Sequence, residues 1–170
     1  PHRIVLAWIE EDRRDRQLHR SDWYLRTTKP IAGDALSRRR LLILSALFSA
    51  IEQRGYKLVI ETRKRHVIQV EHGADRLEIA VRERIQQVRR PLTEKEHRER
   101  GYLSTGHQRW KQEQHATGEL VAGISECNSR GFVEQWRDSP GPPLEKQLKD
   151  VMVGLARQFE ALRVRRELLE

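Results

Sequence analysis

Three groups of cations stand out among the residues whose chemistry could be put to use: Arg38, Arg39 and Arg40; Arg63, Lys64 and Arg65; and Arg82 with Arg84, Arg89 and Arg90. Guanidinium and ammonium groups at such density contact phosphates through charge and paired hydrogen bonds, without reading a base sequence. From Arg38 to Arg90 there are 13 Lys or Arg against 6 Asp or Glu, a balance of +7 in a chain whose net charge is +8. The charge is segregated. A sequence pI near 10.1 favours an acidic partner, with nucleic acid and anionic lipid the usual ones.

Metal-assisted phosphodiester cleavage is the enzymatic chemistry to weigh against simple binding, because acids at strand ends beside cations can hold Mg²⁺ and steady a phosphate. Glu61 closes one strand candidate, and Asp75 and Glu78 flank another. Lys64 lies three residues past Glu61, however, and strand-borne nuclease sites commonly space the pair by two. These acids read as counter-charges to the arginines around them, and the chain reads as non-enzymatic. Among the seven histidines, His66 with His72 and His107 with His115 form only loose pairs, and Cys127 has no neighbouring ligand. No GxxxxGK[ST] phosphate loop, GxGxxG turn or GxSxG elbow occurs. No metal and no cofactor are expected.

A chain of 170 residues suits one core of ordinary size. With 37 % hydrophobic and 34 % charged residues, it should bury a small core under a heavily solvated surface. Cys127 is the single cysteine, so no intramolecular disulfide can form; it reads as a strand residue in a reducing, cytoplasmic compartment. No apolar run reaches the roughly 18 to 20 residues that cross a bilayer, and no signal-peptide pattern opens the chain. The residues after Pro1 already read as helical, the pattern of a fragment or processed chain.

Ile4, Val5, Trp8 and Ile9 share one helical face, followed by Glu10 with Arg14 and Asp12 with Arg16 in the favourable i,i+4 order. A connector with Pro30 and Gly33 follows, in which Trp23 and Tyr24 either pin the segment down or stack on bases. The central helix starts at Asp34 or Ser37 and stops at Gly55, burying Leu41, Leu44, Leu47, Phe48 and Ile51. Capping at Ser37 sets Arg38, Arg39 and Arg40 against the helix dipole in the first turn, which calls for a bound phosphate or nearby acids. Capping at Asp34 moves them into the second turn and removes the conflict.

Leu58–Glu61 and Val67–Glu71 form a predicted hairpin about the charged turn 62–65. A third strand alternates Leu77, Ile79 and Val81 with Arg76, Glu78 and Ala80, leaves Arg82 and Arg84 facing solvent, and ends at Pro91. Thr93 and Glu96 have capping-box spacing for a short polar helix. Gly101–Thr117 shows no period and reads as a loop. Leu120–Glu126 and Phe132–Trp136 are further strands, SPGPP stops the sheet, and a last helix carries Leu144, Leu148, Val151, Leu155, Phe159 and Leu162, with Pro143 in its first turn. The expectation is an α+β fold: an antiparallel or mixed sheet of about five strands packed with a central helix and a long C-terminal helix. Residues 1–33 form a helix and connector, and 34–170 a single domain.

The segments KPIAGDALSRRRLLILSALFSAIEQRGYKL, ERIQQVRRPLT, ATGELVAGI, FVEQWRD and PPLEKQLKDVMVGL together resemble an uncharacterised bacterial family of mobile or accessory genomic regions, over roughly His2 to Phe159. The similarity is to the part that follows a helix-turn-helix segment, and no helix-turn-helix is legible in these residues. It implies a DNA-linked accessory role and transfers no catalytic residue. The resulting expectation is a non-enzymatic module that contacts nucleic acid through phosphates or assists assembly, with a protein-interaction or dimerisation domain lacking nucleic-acid binding, able to form a homodimer through the C-terminal helix, as the alternative, and no membrane association.

Overall fold

The computed structural model describes residues 1–18, 32–60, 68–100, 110–127, 129 and 131–169. In chain order these form α1 (Arg3–Leu18), α2 (Ala35–Gln53), β1 (Lys57–Ile60), β2 (Ile68–His72), β3 (Asp75–Pro91), α3 (Glu94–Arg100), β4 (Trp110–Glu126), β5 (Glu134–Arg137), a 3-10 turn (Leu144–Gln147) and α4 (Leu148–Glu167). The strands make one antiparallel sheet in the order β1-β2-β3-β4-β5, so the α+β expectation holds. The chain divides into two compact units, Pro1–Arg82 with Leu120–Glu170, and Glu83–Glu119. The division falls within β3 and β4.

In the first unit Asp34 is the N-cap of α2, its side chain accepting from Ser37 N at 2.6 Å. The three arginines thus begin one turn inside the helix, where the dipole has faded. Gly55, at φ 78°, closes α2: its N–H donates to Glu52 O at 2.9 Å while Tyr56 N–H donates to Ile51 O at 3.2 Å. That left-handed residue satisfies two terminal carbonyls at once. The stripe Leu41, Leu44, Leu47, Phe48 and Ile51 is buried as its spacing required.

Against it pack Val5 and Trp8 of α1, Ile68, Val70, Leu77, Ile79 and Val81 of the sheet, and Val151, Leu155 and Phe159 of α4. Trp8 meets the Phe48 ring edge-on at 5.8 Å. Along α1, Asp12 holds Arg16 at 3.0 Å as anticipated, but Glu10 takes Arg13 in place of Arg14. Leu144 belongs to the 3-10 turn capped by Pro143, so α4 starts four residues later than its apolar spacing implied. β5 begins at Glu134, two residues beyond Phe132, and Cys127 sits in the turn just after β4.

The second unit corrects a loop assignment. Trp110–Thr117 continues β4 as strand, opposite the distal half of β3, with α3 between the two. The strand is solvated along its length, and a period of two written in polar residues carries no hydrophobic signature. The capping box of α3 is formed as its spacing demanded: Thr93 N donates to Glu96 Oε2 at 3.0 Å and Glu96 N to Thr93 Oγ1 at 3.4 Å.

Candidate nucleic-acid interface

In the first unit the α2 arginines separate into three roles. Arg38 is exposed and holds no carboxylate among the described residues. Arg39 donates two hydrogen bonds to Asp138, both at 2.7 Å, and two to Glu145, both at 2.6 Å. Glu145 and Asp138 together push the Arg39 pKa up, and hydrogen bonding to Arg39 draws Asp138 down to about 2. Asp138 also accepts from Leu120 N at 2.7 Å and Leu144 N at 2.9 Å, so one carboxylate gathers α2, β4 and the 3-10 turn. Arg40 is half-buried, and burial lowers its pKa. Arg82, exposed on β3, lies 4.4 Å above the Phe132 ring. Phe132 in turn lies on Gly123, where any side chain would collide with its ring. Arg63, Lys64 and Arg65 fall outside the described residues, as do Glu61, Trp23 and Tyr24.

In the second unit Arg84 pairs with Glu119 at 3.0 Å. Arg90 is held at 2.7 Å by both Glu96 and Glu113, and hydrogen bonds from Arg90 and Lys111 depress Glu96 well below the ordinary carboxylate range. Lys111 reaches Glu96 at 2.8 Å. Arg89 is exposed and makes no ion pair among the described residues. Of the seven described arginines singled out from the sequence, Arg39, Arg84 and Arg90 are therefore engaged by acids of their own unit, while Arg38, Arg82 and Arg89 offer unpaired charge.

The cross-strand contacts define two chemically different faces of the ribbon formed by β3 and β4 beyond Arg82. Successive strand residues point to opposite sides. On one side Arg84 pairs with Glu119, and farther along Arg90 and Lys111 meet Glu96 and Glu113. On the other, the Gln112 amide donates to the Gln87 carbonyl, which places Ile85, Gln87 and Arg89 with Trp110, Gln112 and Gln114. Trp110 is 56 % exposed and Ile85 47 % exposed. Sequence reasoning missed this face, although WKQEQH alternates neutral with ionisable residues at period two.

Asp75 is tied to Arg166 at 2.7 Å, and the described residues contain no group of three or more His, Cys, Asp or Glu placed to hold a metal ion. Burial pushes the Cys127 thiol up, away from a reactive thiolate. No helix among the described residues is long and apolar enough to cross a membrane. Comparison with protein-family models, curated proteins and solved structures gives no match.

Proposed function

We propose that the chain is a non-enzymatic module of a DNA-associated bacterial protein in the cytoplasm, contacting nucleic-acid phosphates through arginines that its own acids leave free. The observation that carries this reading is the exposure of Arg38, Arg82 and Arg89 without a carboxylate partner among the described residues, in a chain of net charge +8. Neutralised arginines have spent their charge, whereas unpaired ones release counterions from a nucleic acid on binding. The sequence resemblance to a DNA-linked family points the same way.

The test is binding to duplex and single-stranded DNA across a salt series with Mg²⁺ present, the nucleic acid being checked for cleavage. Affinity should fall steeply with salt and the DNA should stay intact. Arg38→Gln, Arg82→Gln and Arg89→Gln should each lower the salt slope by about 0.9 for every phosphate that the arginine neutralises. Absence of binding at low salt, or a slope unchanged in the triple variant, rejects the reading, and Mg²⁺-dependent cleavage makes the protein a nuclease instead.

A second reading, self-association through α4, is favoured by one observation: Val164 and Leu168, one turn apart near its end, are 44 % and 80 % exposed. Mass that rises with protein concentration, in a chain with no nucleic-acid affinity, would select it.

A further inference from the structure

The open face of the ribbon is unlike a merely solvated strand pair. Most of the ribbon's ionisable residues lie on the opposite side, where Arg84 meets Glu119 and Arg90 and Lys111 meet Glu96 and Glu113. What remains on the open side is an indole, an aliphatic side chain, three amides and one unpaired guanidinium, at Trp110, Ile85, Gln87, Gln112, Gln114 and Arg89. Glu83, the acid that follows the same alternation, accepts from Gly118 N at 2.9 Å, so the backbone already engages it.

We infer that this face enters the major groove of duplex DNA and reads base edges, a step beyond the phosphate contacts proposed above and resting on them. Two strands about 5 Å apart with side chains on one face fit a groove about 12 Å wide and not one of about 6 Å. The chemistry matches as well as the size. An unpaired arginine presents two parallel N–H groups to guanine O6 and N7. Gln112 and Gln87 lie in contact, and each side-chain amide offers an NH₂ donor beside a carbonyl acceptor. A linked donor and acceptor are the complement of adenine N7 and N6–H₂. Trp110 and Ile85 supply apolar surface for a thymine methyl. A protein partner would meet the same face, but nothing apolar enough for a protein hot spot surrounds the isolated Trp110, and the one unpaired charge is positive.

The experiment is selection of the 170-residue chain on a random-sequence duplex library with non-specific competitor DNA, followed by 7-deazapurine substitution in the enriched sequence. Enrichment of a short motif containing purines is expected, with affinity falling about tenfold when 7-deaza bases remove the groove acceptors. Gln87→Ala with Gln112→Ala should abolish the preference while low-salt affinity persists. Arg98→Ala on α3 should leave the preference intact. Salt-dependent binding without enrichment, or enrichment indifferent to 7-deaza bases and to these variants, overturns the inference and spares the phosphate reading. No duplex binding at low salt overturns both. A dimer that Trp110→Ala dissociates assigns the face to a second copy and likewise overturns it.

Discussion

Arg39 gives four hydrogen bonds to two carboxylates, whereas the guanidinium before it in sequence meets water. Truncating Arg39 would strand Asp138, whose side chain is 12 % exposed, with two backbone donors and no counter-charge. Arg39→Ala should cost about 2–4 kcal/mol in denaturant unfolding, and Arg39→Lys should recover little, since an ammonium cannot span both carboxylates. Arg38→Ala should stay within about 0.5 kcal/mol. Equal losses at the two positions would contradict the division of roles. From composition alone the two arginines are interchangeable, because the acids that distinguish them are 99 and 106 residues away. Pairing at that separation is a product of the fold and has no local signature. Glu96 was nearer to legible: its capping-box spacing marked it, but not its second task of holding Arg90 and Lys111.

Elements that bury one face announced themselves, α3 was marked by its cap alone, and the polar strand pair was not announced at all. The stripe of α2, the spacing along α4 and the alternation of β3 as far as Val81 are each written in aliphatic residues. Beyond Val81 the strand continues by hydrogen bonding alone, and the facing half of β4 has no apolar period to detect. Contact between α4 and β5 depends on a glycine: a methyl group at Gly154 would lie 2.6 Å from Trp136 Cζ2. Alanine gains about 1 kcal/mol in helix propensity, while overpacking costs about 1–3 kcal/mol and the overlap here is severe. Gly154→Ala should therefore lower the thermal midpoint and alter Trp136 fluorescence. An unchanged emission spectrum together with a raised midpoint would show that the ring simply moves aside.

At the scale of the molecule the acid limit of stability should be set in part by Asp138. Its folded pKa is depressed to about 2 from an ordinary value of 3.8, so the unfolded chain binds the proton more readily. The ion pair's contribution is complete above about pH 5 and disappears as pH falls from about 4 toward 2, on the order of 2 kcal/mol in total. Asp138→Asn should be less stable at neutral pH and show a flatter stability profile across that window. A profile parallel to the parent's would place the acid sensitivity elsewhere.

The first unit is made of two stretches of chain separated by Glu83–Glu119. A ribosome therefore delivers α2 and β3 some seconds before β4 and α4, at about 5–20 residues per second. During that interval Leu44 and Phe48 have no Ile124 or Leu155 to cover them, and β3 has an open edge. The intervening segment thus acts as a timer in synthesis, and the nascent chain passes through a stage in which a holding chaperone has both an apolar helix face and a free strand to grasp.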